Sequence, residues 1–482
     1  MKKNQQKILF VSSEVSPFAK TGGLGDVAGA LPNVLRKLGL DIRVVMPKYK
    51  SISEKFTKDL KSKGDFSVYL DWRRHKASIY EYNKELPVYF IGNDYYFDRD
   101  NLYGYEDDHE RFAFFCKAVL EMLLRIDFIP DIIHCNDWQT GPISLLLRET
   151  YQDDSLFNSI TTLFTIHNLQ YQGVFGKEAI RLLGVPDWYF NPEHIEFYGN
   201  INYMKAGLLY SDAISTVSNT YAKEIMTDEY GYGLQGVLKK RSQDLYGILN
   251  GIDYKLYNPE TDDSLYVKYS KDTIELKEKN KKALQKELNL PEIDVPIISI
   301  VSRLVEQKGF DLIAQQLNEL MQEDIQLIVL GTGEERYESL FSYMEASFPQ
   351  KVRAKIFFDL DLAQKIYGAS DLFLMPSLFE PCGLGQLISL RYGTIPIVRK
   401  TGGLADTIEE FDKKTGKGNG FIFCEYNSYQ MLEAIRRAIE LYKDKKSWKK
   451  LIKNAMSSNN SWEDSAKEYI KLYKELKSEV RD

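Results

Sequence analysis

Four cysteines in 482 residues are too few for a disulfide framework, and Cys116, Cys135, Cys382 and Cys424 follow no zinc or redox spacing. So sparse a set in a long chain points to a reducing compartment. Histidine is scarce as well, at 5, which leaves few candidates for metal ligation. No apolar run approaches the ~20 residues of a membrane helix. Met1–Gln6 is polar, and the apolar run behind it is too short for a signal peptide. A cytoplasmic protein with no membrane partner is expected. Positive charge is in deficit, with a formal net charge of −6, which argues against a nucleic-acid partner.

What the chain has in quantity is Tyr, at 32, and Phe, at 25. Such rings suit sugar binding, though packing is their commoner use. Length predicts two or three domains. The richest stretch is 380–407. It runs Glu380-Pro381-Cys382-Gly383-Leu384-Gly385-Gln386, then an apolar segment, then Lys400-Thr401-Gly402-Gly403-Leu404-Ala405-Asp406-Thr407. With Leu372–Met375 before it, the pattern reads strand, acidic loop, helix, strand, glycine loop, helix. Glycine turns that open helices present N–H groups to an anion. A Glu beside them can accept sugar hydroxyls.

The same logic appears near the start. A strand at 8–12 leads into Lys20-Thr21-Gly22-Gly23-Leu24-Gly25-Asp26, a helix and a strand at 42–46. This loop lacks the dinucleotide and P-loop spacings, but a Lys beside free N–H groups favours a phosphate. Short strands or hairpins fit 50–90, and a surface loop fits Tyr95–Glu110. A helix is expected over Phe112–Leu124. Strands at 131–138, Thr161–Ile166 and Ala213–Val217 all end in polar residues, as ligand-binding parallel sheets do. A charged helix over Thr273–Leu288 follows, with Lys281 expected at its surface. The alternation restarts at Pro296–Val301 and runs through units at Gln326–Leu330, Ala354–Phe358, Leu372–Met375, Ile395–Val398 and Phe421–Phe423. Helices close the chain at Ser428–Tyr442 and about Glu463–Leu476. Two doubly wound α/β halves are expected, residues 1–250 and 251–460. Asp359-Leu360-Asp361 mimics a D-x-D metal motif, but a helix N-cap is the better reading, and no metal or cofactor is expected.

Together these residues resemble the bacterial glycogen synthase and plant starch synthase family. The carriers are Lys20–Val27, His134–Trp138, Thr165–Gly173, Lys205-Ala206-Gly207, Leu249–Asp253, Ser302–Gly309 and Glu380–Gln386, in that order. The resemblance implies the GT-B architecture, two Rossmann-like domains facing across a cleft, with residues 461–482 crossing back to the first domain. It implies a retaining transferase moving glucose from ADP-glucose to an α-1,4-glucan. His167, Arg303, Lys308 and Glu380 are then the catalytic set. His167 lines the reacting glucose, Arg303 and Lys308 neutralise the leaving diphosphate, and Glu380 lies beside the transferred sugar. Lys20 sits near the donor phosphates, with Gly22, Gly23 and Asp26 in its loop. Asp137 and Asn250 face the sugar, Asn168 beside His167 belongs to the substrate-binding set, and Gly331 and Gly333 lie near the nucleoside. Cys382, Gly383 and Leu384 form the turn around the sugar, and Leu404 and Thr407 approach the distal phosphate.

Two positions depart from common patterns. Ile388 stands where many related transferases carry a ribose-binding Glu, and Gly25 where several bacterial relatives have Ala. Retention usually suggests a carboxylate nucleophile. Glu380 is instead read as a polar contact, because the resemblance implies front-face reaction assisted by the leaving phosphate. His75, His109 and His194 read as structural, and Cys382 as a small residue in a tight turn. Two alternatives stay open: a retaining transferase or phosphorylase with another donor, and a degenerate glucan-binding protein.

Overall fold

The computed structural model describes residues 5–479, which divide into two compact units. The first holds the chain up to Leu249 together with the terminal helix Trp462–Glu479; the second holds Asn250–Ser461.

In the first unit, strands β1 (Lys7–Val11), β2 (Asp41–Pro47), β3 (Lys61–Leu70), β4 (Arg73–Asn83), β5 (Pro87–Gly92), β6 (Ile132–Asn136) and β7 (Thr161–Ile166) form most of one sheet. The short strands β8 (Val174–Phe175), β9 (Glu196–Phe197) and β10 (Asn200–Asn202) pair separately, and β11 (Ala213–Thr216) and β12 (Leu245–Gly247) complete the large sheet. Its order is β12-β11-β7-β6-β1-β2-β5-β4-β3. The chain leaves β1 toward β2 and later returns on the other side at β6, so the strand order reverses beside β1. Strands β5, β6 and β7 are buried along their whole length, as strands covered on both faces must be.

In the second unit, β13 (Ile297–Val301), β14 (Gln326–Leu330), β15 (Val352–Lys355), β16 (Leu372–Met375), β17 (Ile395–Arg399) and β18 (Phe421–Phe423) form one parallel sheet. Its order, β15-β14-β13-β16-β17-β18, reverses between β13 and β16. The two α/β halves read from βα alternation are therefore present, each built as a doubly wound sheet.

Several local expectations change. The 50–90 segment holds the long hairpin of β3 with β4, one of the two forms expected there, but a short helix, Glu54–Thr57, precedes it. Tyr95–Glu110 is not a surface loop throughout: Tyr96 and Phe97 are fully buried in a short helix, Asp94–Phe97, that Asn93 caps. Abundant Tyr and Asp hid an inward-facing aromatic pair. The helix expected from Phe112 starts earlier, at Asp108, and β15 ends at Lys355, leaving Phe357 and Phe358 outside it. A helix over Lys445–Ser457 was masked by its lysines; Trp448, Leu451 and Ala455 give its buried face. Lys281 lies inside, paired with Asp371 at 2.8 Å and donating to the Val295 carbonyl. Its helix packs a buried ammonium against a partly buried carboxylate, which composition cannot reveal. Asp359 caps the helix Leu360–Ala369 through the Leu362 N–H, as expected.

The terminal helix presents Trp462, Ala466, Tyr469, Tyr473 and Leu476 to the first unit, a stripe at helical spacing. At its flank Lys477 pairs with Asp131 at 2.8 Å and Gln6 donates to the Tyr473 carbonyl at 2.7 Å, and one polar contact ties it into the buried interior. The Tyr473 hydroxyl meets His134 Nδ1 on β6 at 2.7 Å, while His134 Nε2 meets the Thr165 hydroxyl at 2.6 Å. Both His134 nitrogens are thus used in a fully buried place, and burial holds the ring neutral by pulling its pKa well below the ordinary value. Tyr473→Phe leaves one of them without a partner. It should cost about 1–3 kcal/mol in chemical denaturation of the first unit; an unchanged midpoint would show that the helix is held without this buried contact.

Candidate active site

In the first unit the predicted residues collect at the carboxyl edge, beside the strand reversal. Asp137 follows β6 with a positive φ of 56°, a strained backbone for a non-glycine residue. Its carboxylate accepts the His167 N–H at 2.7 Å and the Asn168 N–H. Three of the predicted residues are thereby tied together across neighbouring strands. Asn136 adds a fourth member that sequence reasoning did not single out. Its Nδ2 donates to the carbonyls of Val11 and His134, so its Oδ1 accepts from His167 Nε2 at 2.9 Å. That sets the tautomer, with Nε2 protonated and Nδ1 an acceptor. Asn168 spends its own Oδ1 on the Gln170 N–H.

Lys20 and its loop are arranged differently from the expectation. The N–H groups of Thr21 and Gly22 are not free for a phosphate. Both donate to Glu14 Oε2, at 2.6 and 3.1 Å, and the Thr21 hydroxyl donates to Oε1 at 2.7 Å. Tyr103 adds a fourth bond to the same carboxylate at 2.9 Å. The loop wraps a buried acid. Gly25 lets the Lys20 turn come close: a Cβ there would lie 2.4 Å from that of Lys20, so a larger residue would have to push the turn aside. Lys20 itself stays partly exposed, with its ammonium 2.7 Å from Asp26. Gly23 opens the helix Gly23–Lys37, and Gly22 precedes it in extended conformation. Sequence alone could have flagged Glu14 only as a polar residue just past the first strand.

In the second unit the reversal between β13 and β16 puts the ends of those strands side by side. Arg303 follows β13; it is exposed and makes no ion pair or hydrogen bond through its guanidinium among the described residues. Lys308, at the end of the turn Glu306–Lys308, pairs with Glu380 Oε2 at 2.6 Å. Ser377 donates to the same oxygen at 3.0 Å. Gly309 next door has φ of 73°, and a Cβ there would lie 2.0 Å from the Pro376 carbonyl oxygen. This close approach brings the Lys308 turn to the Glu380 loop.

The glycine turns have equally tight reasons. A Cβ on Gly331 would meet the Ser302 carbonyl oxygen at 1.9 Å, and one on Gly333 the Leu304 oxygen at 2.3 Å. The turn therefore packs on the backbone around Arg303. Gly402 and Gly403 approach the backbone of Glu380 and Cys382 as closely, at 1.9 and 2.2 Å. Cys382 is buried, its thiol pushed up to about 12 by burial, and it accepts from the Asn250 N–H. Gly383 takes φ of 76°, and Leu384 precedes the helix Gly385–Arg391. Thr407 turns inward, donating to the Gly403 carbonyl at 2.6 Å, so its hydroxyl proton is not offered to a ligand. Asn250 Oδ1 and Gln386 Oε1 are buried and have no hydrogen-bond partner among the described residues. Unpaired buried acceptors are rare in folded chains and cluster where a ligand completes the set. Beyond the Gly331 turn, Phe358 is 73% exposed at the same edge.

Among the described residues no group of three or more His, Cys, Asp and Glu side chains could hold a metal, and no helix is long and apolar enough to cross a membrane.

Residues 7–240 match the starch synthase catalytic domain, and residues 280–457 the glycosyl transferases group 1. The chain is 52% identical to a glycogen synthase of Desulforudis audaxviator, covering 99% of this chain and 97% of that one. It is 54% identical to a glycogen synthase of Clostridium acetobutylicum, over 97% and 99%. In structure it resembles the catalytic domain of starch synthase IV from Arabidopsis thaliana bound to ADP and acarbose. That match has a TM-score of 0.92 and 35% identity, over 98% of this chain and 100% of that one. Two Rossmann-like units with a basic and acidic set at the second unit's strand reversal define a retaining glycosyltransferase of the GT-B class. Within that class the chain belongs to the glycogen and starch synthase family.

Burial shifts two site groups in opposite directions. The His167 ring is pulled down to about 3, and the Asp137 carboxyl is pushed up to about 7 against the two N–H donors that oppose the rise. For His167 the folded value lies below the unfolded one of about 6.5. Its contribution to stability is full above that value and is lost as pH falls toward 3. An NMR titration of the His167 ring should show no inflection between pH 5 and 8; an inflection near 6.5 would mean a wetter, ionisable histidine.

Proposed function

We propose that this protein transfers glucose from ADP-glucose to the non-reducing end of an α-1,4-glucan, with retention at the anomeric carbon. Support for the donor comes from the starch synthase structure, which was solved with ADP, and for the acceptor from the glycogen synthases that share half of this sequence. The observation that carries the reading is the convergence of Arg303, Lys308 and Glu380 at one strand reversal, with Arg303 exposed and its guanidinium without a partner among the described residues.

The chemistry follows from where charge grows. As the anomeric C–O bond breaks, the departing diphosphate gains negative charge and the sugar ring gains positive charge. Arg303 presents a planar fork suited to phosphate oxygens. Lys308 is a preorganised ammonium held by Glu380, so it meets the growing charge without searching for a position. Glu380 in turn keeps one oxygen, Oε1, outside the Lys308 and Ser377 contacts, and that oxygen is assigned to a hydroxyl of the transferred glucose. The orphan acceptor on Asn250 takes another hydroxyl, and the ring of Phe358 offers a stacking face to the base. In the first unit, Lys20 is assigned to an anionic oxygen of the donor, and the neutral His167, with Asp137 and Asn168, to glucose hydroxyls. Gly331, Gly333, Cys382 and Gly383 serve by letting backbones approach. We place the enzyme in the cytoplasm, in keeping with four free cysteines.

Two experiments test this. In the first, ADP-glucose and UDP-glucose compete at equal concentration with glycogen as acceptor; faster incorporation from UDP-glucose would overturn the donor assignment. In the second, Arg303→Ala and Lys308→Ala should each lower kcat on the order of 100- to 1000-fold while KM for the donor changes less. The exposed Lys449→Ala is the control. The double variant should lose less than the product of the two, since both serve one phosphate centre. A raised KM with normal kcat would reduce the pair to anchoring.

A further inference from the structure

The second unit buries an ammonium that makes no ion pair among the described residues. Lys277 opens the helix Lys277–Glu287 and is buried. Its Nζ donates to the carbonyls of Gly368 at 2.8 Å, Tyr392 at 3.1 Å and Tyr367 at 3.2 Å, and to the Thr394 hydroxyl at 2.8 Å. The Tyr269 hydroxyl stands at 3.5 Å and spends its own proton on the Gly368 and Tyr392 carbonyls. Thr394 likewise donates onward, to the carbonyls of Tyr367 and Ser370. All five oxygens therefore turn lone pairs toward the nitrogen. Asp371 is taken by Lys281, one turn further along the helix. Burial pulls the Lys277 amine down to about 7, and the five lone pairs oppose the loss of its proton.

The carbonyls in this cage belong to two helix ends. Tyr367 and Gly368 lie in the last turn of the helix Leu360–Ala369, and Tyr392 follows the helix Gly385–Arg391. The last carbonyls of a helix lack partners within it and carry partial negative charge, which a cation relieves. Lys277 thus pins both ends with one charge. The second helix leads directly to the site. Gln386 in its first turn donates to the carbonyls of Cys382 at 2.9 Å and Gly383 at 3.1 Å, in the turn that follows Glu380. Gly385 sits so close to the Phe373 ring that a Cβ would lie 2.8 Å away, and Phe373 packs on the Tyr367 ring at 5.2 Å. The helix has 7 residues and spans about 10 Å, so a shift at its end is carried to its start.

We propose that Lys277 is a positioning residue for glucosyl transfer: its caged ammonium fixes the helix Gly385–Arg391 and, through Gln386, the turn that carries Glu380. The catalytic consequence rests on the reading given under Proposed function, which sets Glu380 beside the transferred glucose; the coupling of the cage to that turn does not. Without the cation, three carbonyls are left facing one another with too few donors, a cost that buried acceptors relieve by moving apart. The helix end then shifts, and the Glu380 turn with it. A misplacement of about 1 Å at a reacting centre costs up to about a hundredfold in rate. Substrate affinity, spread over many contacts, is affected less.

The test uses the full chain and its Lys277→Ala variant, with steady-state kinetics and amide hydrogen exchange read by mass spectrometry. In the variant kcat should fall about ten- to hundredfold, with KM for ADP-glucose changing by less, and exchange should quicken most over 380–392. Refolding the variant with n-propylammonium, which replaces the three carbons and the nitrogen removed, should restore both; tetramethylammonium, which has no N–H to donate, should restore neither. A folded variant with wild-type kcat and wild-type exchange at 380–392 would overturn the proposal. So would exchange that quickens evenly over the second unit, or a melting temperature that recovers with the amine while kcat does not, since Lys277 would then only hold the fold. Tyr269→Phe keeps the ring and removes one donor to the Tyr392 carbonyl. It should act in the same sense by less, and wild-type kcat and exchange there would overturn the proposal even where Lys277→Ala does not fold. A wild-type chain that transferred no glucose would sink the reading under Proposed function, and the exchange pattern would still decide the coupling.

Discussion

A carboxylate taken out of water must be matched by charge and hydrogen bonds, or the loss runs to several kcal/mol. Glu380 is such a group, and much of the second unit is arranged to satisfy it. Lys308 and Ser377 converge on one of its oxygens. For Lys308 to reach it, the turn before the helix Phe310–Gln315 must press against Pro376, which only a glycine at 309 allows. The Gly402–Gly403 turn then closes over the Glu380 backbone from the other side. Electrostatic need and backbone crowding thus specify the same geometry, and a substrate meets a site whose charges are already fixed.

The first unit solves the same problem with a different acid. Glu14 draws in two backbone N–H groups, a threonine hydroxyl and a tyrosine hydroxyl, and so shapes the loop that holds Lys20. The sequence places a lysine among glycines and invites the idea of a phosphate cradle. In the folded chain the cradle is partly filled by the protein's own anion. What the loop offers outward is the ammonium of Lys20, shared with Asp26. Both units therefore present a lysine paired to a carboxylate at a sheet's carboxyl edge.

The doubly wound fold was legible because strand and glycine turn alternate openly. Gln326–Leu330, Leu372–Met375 and Phe421–Phe423 are read to the residue, being short apolar runs between breakers. Side-chain identity misled where a polar residue faces inward. Lys281 is indistinguishable in sequence from its solvated neighbours, yet it reaches Asp371, ninety positions further on. Tyr96 and Phe97 sat in a stretch whose composition spells surface. The site residues came from a resemblance, and the contacts that organise them did not. Asn136 setting the His167 tautomer, and Glu14 occupying its loop, depend on which atoms strand order brings together.

The terminal helix makes the first unit discontinuous in sequence. Tyr473 completes the buried contact with His134 from 339 residues away. During synthesis at roughly 5–20 residues per second, that gap lasts about 20–70 s. Through that interval β6 has been made but the aromatic stripe that covers its side of the sheet has not. The second unit, contiguous from Asn250 to Ser461, has all its strands before the first unit has all its parts. The order of completion on the ribosome is therefore the reverse of the order in the gene, and the nascent first unit must stay soluble with an apolar groove uncovered while its neighbour is built.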